Sequence, residues 1–328
     1  MTARSILCLL VVGTVFTSPL RAQEKSDDRN PLFRWLTSPR SPTLVTYTPS
    51  QLDPRQEVNQ RRLATSSIRA DLEALHPAFD GLVLYGYHES CTPRIVSVAR
   101  SVGYQCVVLG IWDPKSTAEL DGVADLARQY DGKLAMGILV GNEGLTFKRY
   151  EEEDLKIAEA RLRARLPPTV PLSTSEPLVG YERAAVREFG EFLMPNIHPV
   201  FDREKLGPVE AAAWVRGEAA HLARETGKPV VLKETGFPHA GKPAYTEDSQ
   251  QAFWEAYTGP GLIDRGQARA WISTAVAFEA FDLPWKSEES KLEIEKSWGL
   301  LSPTRIPYPA FSVWKAAKSG GPRPIPPE

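Results

Sequence analysis

Short, nearly continuous apolar runs alternate with longer stretches of mixed polarity from about residue 44 to residue 318. The runs at 44–47, 81–85, 105–112, 134–140, 168–173, 193–198, 230–233 and 272–281 read as strands covered on both faces. The stretches between them place apolar residues at helical spacing. In 57–75, Val58, Leu63, Ile68, Leu72 and Leu75 make one rough stripe. Helices are likewise predicted at 93–102, 116–129, 150–166, 209–226, 248–259 and 308–318, and a helix or loop at 178–186. Acids open the 150–166 helix and Arg161, Arg163 and Arg165 sit near its end, which suits the helix dipole and marks a solvated face.

Strands alternating with helices predict a parallel sheet, and eight such units are what a closed barrel needs. The expected fold is α/β, a single (β/α)8 TIM barrel over residues 43–318. A doubly wound open sheet is the alternative, but no glycine-rich dinucleotide turn and no Walker lysine is present. Residues 23–42, with Pro31, Pro39 and Pro42, read as a polar linker or surface arm, and 319–328 as a Pro-rich tail. Residues 1–22 read as a signal peptide, with Arg4 before an apolar stretch at 6–16 and Ala22 near the expected cut. That stretch is too short to span a bilayer and no later run is longer, so no stable membrane insertion is expected. A secreted or periplasmic location follows.

Composition narrows the function only by exclusion. Apolar residues make up 42% and charged residues 24%, with a net charge of −2 and no basic stripe, so nucleic acid is not an expected partner. No Cys/His cluster has zinc spacing, and no metal or cofactor is expected. Beyond the leader, Cys91 follows one predicted strand and Cys106 starts the next. Those are opposite ends of parallel neighbours, too far apart for a disulfide, so two free thiols are expected.

The chemistry gathers where the runs end. LAMGILVGNEGL closes a buried strand with Asn142 and Glu143, and KPVVLKETGFP closes another with Glu234. An unpaired buried carboxylate is costly, so each needs an ion pair, a cap or a catalytic role. Two such strands in one barrel can aim both carboxylates at one spot, the minimum equipment for cleaving a glycosidic bond. The other strand ends carry Tyr85, Asn196, His198, Phe237, Glu279, Trp285 and Lys286. Aromatic faces and hydroxyl-binding groups of this kind suit a neutral, ring-shaped ligand. Glu279 could bind a hydroxyl or orient its neighbours.

GILVGNE, FLMPNIHPVF, VVLKETGFPHAG, and FEAFDLPWK followed by EIEKSWGL resemble the successive signatures of glycoside hydrolase family 17, the β-1,3-glucanases and related glucanosyltransferases. The resemblance covers about residues 44–315. It implies Glu143 as general acid/base, Glu234 as the nucleophile of a retaining mechanism, and Asn142 as a hydrogen-bond partner of the sugar 2-hydroxyl. It also implies Lys286 and Glu295 close to the active-site charges, with Lys286 able to keep Glu234 ionised. Asn196, His198, Phe237 and Trp285 match groove or supporting positions, and Gly144 stands where bulkier apolar residues are usual. The expected activity is hydrolysis of β-1,3-glucan or laminari-oligosaccharides by a secreted monomer. The alternatives are transglycosylation at the same site, or a noncatalytic glucan-binding envelope protein.

Overall fold

The computed structural model describes residues 30–40, 42–266 and 270–320. The expected signal peptide, the first part of the expected arm and the tail from 321 onward lie outside the described residues.

Strands covered on both faces must be apolar throughout, and the six that form the main sheet are buried almost without interruption. They are β1 (Leu44–Thr46), β2 (Gly81–Val83), β3 (Cys106–Ile111), β4 (Ala135–Asn142), β5 (Leu172–Ser175) and β9 (Val276–Ala277). All pair in parallel, in the order β5-β4-β3-β2-β1-β9, and the sheet curls as half of a barrel does. A second sheet pairs β6 (Val230–Val231) with β8 (Ile272–Ser273) in parallel and β8 with β7 (Ile263–Asp264) antiparallel. Helices connect the strands, including Thr92–Val102, Thr117–Tyr130, Glu152–Arg163 and Pro208–Thr226.

Four expectations change. The strand expected at 272–281 is two short pieces, because Ser273 Oγ accepts the Ala275 N–H at 3.3 Å and Thr274 Oγ1 accepts from Arg216 at 3.0 Å. Such side-chain bonds compete with the ladder. The run at 193–198 makes only isolated bridges, since Pro195 has no N–H to donate. The helix expected at 57–75 breaks at Leu63 into Glu57–Arg62 and Thr65–Leu75. Finally, the expected surface arm contains a buried helix, Pro31–Leu36.

That short helix closes the end of the sheet where the strands begin. Asn30 caps it, accepting from the N–H groups of Leu32 at 3.0 Å and Phe33 at 3.3 Å, and Pro31 takes the first helical position. Leu32 lies against Gly137 of β4. Phe33 meets Phe192 at 5.6 Å and Trp271 at 5.4 Å, both edge-on. These partners sit near the amino ends of their strands, so the opposite ends are left open. The two cysteines are free and buried, as expected. Among the described residues, no helix is long and apolar enough to cross a membrane.

The plug gives a stability prediction. Phe33→Ala should cost about 3–5 kcal/mol, the usual loss for truncating a buried aromatic ring. Thermal unfolding followed by circular dichroism measures it, and a melting curve unchanged from the parent protein would mean that the helix is not part of the core.

Candidate active site

Local irregularity at the end of β4 turns side chains toward one cleft. On β4 the register against β5 shifts between Leu139 and Asn142. Gly141 has φ 77° and Glu143 has φ 57°. A left-handed backbone at a glutamate is strained by about 1–3 kcal/mol and is a frequent mark of functional sites. The strained turn is pinned from several sides. Glu143 N–H donates to the Ser175 carbonyl at 2.7 Å. Buried Glu176 accepts from the N–H groups of Leu145 at 2.9 Å and Thr146 at 3.1 Å. The Arg149 guanidinium donates to the Asn142 carbonyl and stacks on Trp112 at 4.0 Å. Gly144 is small because the Tyr150 ring lies where a Cβ would go, and its N–H donates to the Tyr150 hydroxyl at 3.2 Å.

The cleft has a volume of about 880 Å³, and both Glu143 and Glu234 line it. Asn196 and Lys233 join them through a continuous network. Asn196 Nδ2 donates to Glu143 Oε1 at 2.9 Å and to Asn142 Oδ1 at 3.1 Å. Asn196 Oδ1 accepts from Ser175 Oγ at 3.0 Å and from the Lys233 ammonium at 3.3 Å. Lys233 also donates to Glu234 Oε1 at 2.5 Å, to Ser175 Oγ at 3.2 Å and to Asn142 Oδ1. His198 Nε2 stands 3.3 Å from the other Glu234 oxygen.

This surrounding pushes the two glutamates apart electrostatically. Burial alone would raise the pKa of Glu234, but the Lys233 ammonium and His198 overcome it and hold the carboxyl well below the usual carboxylate range. For Glu143, burial and then the charge of Glu234 raise the pKa, and Asn196, His198 and Lys233 oppose them without cancelling the rise. Burial also disfavours protonated His198, yet its contact with Glu234 and the fields of both glutamates lift its pKa above the ordinary histidine value. A raised carboxyl beside a lowered one is how an acid and a nucleophile are separated at one pH.

Tyr85, Asn142, Asn196, His198, Trp285, Lys286 and Glu295 line the same cleft. Two predicted site residues do not. Phe237 is buried against Tyr245 at 5.1 Å and Phe253 at 6.0 Å, in the packing behind its strand. Glu279 is buried below the cleft and takes the Lys286 ammonium at 2.6 Å. Burial pushes its pKa up to about 7, against the pull of Lys286. Lys286 is therefore engaged by Glu279, and the cation that holds Glu234 is Lys233. Sequence reasoning missed Lys233, although a lysine inside an apolar strand, one residue before Glu234, was the available signal. Trp298 also lines the cleft, edge-on to His198 at 5.2 Å and to Phe278 at 5.4 Å. Among the described residues, no group of three or more His, Cys, Asp or Glu side chains could hold a metal ion.

The BtgE/BtgC glycoside hydrolase domain family matches residues 45–299. Among solved structures, the chain is similar to the glycoside hydrolase family 17 β-1,3-glucanosyltransferase of Rhizomucor miehei, with TM-score 0.63 and 16% identity over 83% of this chain and 97% of that one. An active-site mutant of a Rhizomucor miehei β-1,3-glucanosyltransferase, in complex with laminaritriose, gives TM-score 0.63 and 17% identity, over 82% and 96% of the two chains. GH5_18 from Streptomyces cattleya, in complex with GlcNAc, gives TM-score 0.59 and 19% identity, over 87% and 82%. Identities this low carry the fold alone. The search of curated proteins finds no match.

The packing of Gly144 is testable without substrate. A methyl group there would fall 1.8 Å from a Tyr150 ring carbon, so Gly144→Ala should destabilise the protein by about 1–3 kcal/mol. In a double-mutant cycle with Tyr150→Ala, the combined loss should be smaller than the sum of the two single losses. Simple additivity in chemical denaturation would show that the ring is not what excludes the side chain.

Proposed function

The chain belongs to the BtgE/BtgC glycoside hydrolase domain family, and from that premise we propose that it is a retaining glycoside hydrolase acting on β-1,3-linked glucan. The observation that carries this reading is the opposite displacement of two glutamates that line one cleft and share one polar network. Glu234, kept ionised by Lys233 and His198, is the nucleophile. Glu143, with its raised pKa, starts as the acid.

In the first step a Glu234 oxygen attacks the anomeric carbon, the glycosidic bond breaks, and the leaving oxygen takes the proton of Glu143. In the second step water gives a proton to Glu143 and attacks the same carbon. The ester bond to Glu234 breaks and its electron pair returns to the carboxylate. Direct attack requires carboxyl groups about 5–5.5 Å apart, which the short Asn196–Lys233 connection between them favours. The neutral sugar reading rests on the aromatic rims, Trp112 at 44% and Phe147 at 65% exposure, both beside the Glu143 turn. The β-1,3 linkage rests on the sequence signatures and on the Rhizomucor miehei neighbours.

We read the scaffold as a distorted (β/α)8 barrel. The bridges Pro177↔Asn196 and Leu193↔Val230, the β6–β8 ladder and the β9–β1 ladder support a continuous circuit. Export through the leader at residues 1–22 and a monomeric state belong to the same proposal. A second reading, glucanosyl transfer, is favoured by the exposed Trp112 and Phe147 faces, on which a second glucan chain could stack. Sugar hydroxyl then replaces water in the second step.

Product analysis on laminari-oligosaccharides decides between these readings. Shorter products mean hydrolysis, longer ones mean transfer, and the absence of any turnover on β-1,3-glucans would remove the substrate assignment. Glu234→Gln should lower turnover by about 10⁴-fold or more. Glu143→Gln should lose about 10²–10⁴-fold on a sugar leaving group, but far less on a nitrophenyl glycoside, whose leaving group needs no proton. The pH profile of kcat/KM should be bell-shaped. Its acid limb, from Glu234, should fall below the ordinary carboxylate range, and its alkaline limb, from Glu143, above it. Both limbs lying at ordinary carboxylate values would contradict the assigned roles.

A further inference from the structure

Lys233 is fully buried, and four side-chain oxygens lie within hydrogen-bond reach of its ammonium: Asn142 Oδ1, Ser175 Oγ, Asn196 Oδ1 and Glu234 Oε1. The ring of Tyr85 lies 4.8 Å from the same nitrogen. Successive side chains on a strand normally point to opposite faces. Lys233 and Glu234 instead converge, and the backbone shows how. The N–H groups of both residues, at 3.0 and 3.4 Å, aim at the single carbonyl of Pro195. Two residues opposite one is the signature of a bulge, which re-aims side chains.

The placement has a second consequence. An ammonium only donates, so any amide atom it touches must be an oxygen. With its oxygen held by Lys233 and Ser175, Asn196 must turn its NH2 toward Glu143. Asn142 likewise gives its oxygen to Lys233 and Asn196. Its NH2 finds no acceptor among the described residues and is left free to donate into the cleft that Asn142 lines.

We infer that Lys233 is a positioning residue that holds Glu234 as a carboxylate and fixes the orientation of both amides around the reacting sugar. The inference rests on the glycosidase reading of the site and deepens it. The charge on Glu234 is consumed when the glycosyl ester forms and restored when it breaks. Burial lowers the pKa of Lys233 and the Glu234 charge opposes that, so the ammonium is favoured most where Glu234 is a carboxylate. The returning carboxylate thus meets a donor group already in place, with no solvent to reorganise. Glu234 is also faced by His198, Glu143 and Tyr85, with Glu279, Lys286 and Glu295 farther out. Lys233 and His198 are the two basic side chains among these that touch it.

The test uses Lys233→Met, which removes charge and donors, and Lys233→Gln, which keeps N–H donors without charge. Thermal unfolding first establishes that each variant folds. Where Lys233→Met does not, Lys233→Gln carries the test. Carbon-13 NMR of labelled glutamate then follows the Glu234 carboxyl, assigned by its loss in Glu234→Gln. In the parent protein it should stay ionised to low pH, and in both variants it should titrate at least one pH unit higher. The acid limb of kcat/KM on laminari-oligosaccharides should move up by the same amount. A folded variant whose Glu234 titrates where the parent's does overturns the inference. Absence of turnover in the parent protein would instead defeat the glycosidase reading, while the NMR titration would still decide the role of Lys233.

Discussion

The site is organised around a buried positive charge placed against a buried negative one. Taking an ammonium and a carboxylate out of water costs several kcal/mol each, and removing one partner of such a pair typically costs about 3–5 kcal/mol. Lys233 and Glu234 meet that cost jointly, and the two remaining donors of Lys233 are shared among Asn142, Ser175 and Asn196. Every polar atom in this group has its role fixed by the one donor that cannot accept. The orientation of Asn196, and through it the proton-side partner of Glu143, follows from that constraint.

The same strands serve two ends of the molecule in different ways. Their amino ends are closed by apolar packing, with Leu32 and Phe33 seated against Gly137, Phe192 and Trp271. Their carboxyl ends give up regular pairing. Pro195 withholds a ladder hydrogen bond, β4 shifts register, and Glu143 takes a left-handed backbone. Irregular backbone at one end is sustained by close packing at the other. Held by Glu176, Arg149 and Tyr150, the strained turn presents Glu143 in one conformation. A carboxyl group aimed in advance does not have to be ordered when a ligand enters the cleft.

The electrostatic asymmetry of the two glutamates arises from position and not from residue type. Glu234 is buried and Glu143 partly so, and loss of solvent raises both. What separates them is that Glu234 touches the Lys233 ammonium and the His198 ring while Glu143 touches a neutral amide and feels the Glu234 charge. Lys286, equally cationic, contributes to a different carboxylate, Glu279, because short-range pairing in a low-dielectric interior outweighs a more distant attraction.

Residue order was enough to specify the alternating elements, the two glutamates at strand ends, the amide before the first of them and the free thiols. These are local or pattern properties: a buried parallel strand must be apolar along its length, and polar residues that end one stand out. Which cation belonged to which acid was not legible: a strand residue next to Glu234 normally points to the opposite face, and only the bulge opposite Pro195 turns Lys233 toward Glu234. Nor was the packing of Phe237 on Phe253, the burial of Pro31–Leu36 in a stretch that reads as polar, or the shortening of the last strand where Arg216 reaches Thr274. Each of these depends on a partner far away in sequence, and burial, pairing and amide orientation are set by distances that exist only once the chain has closed on itself.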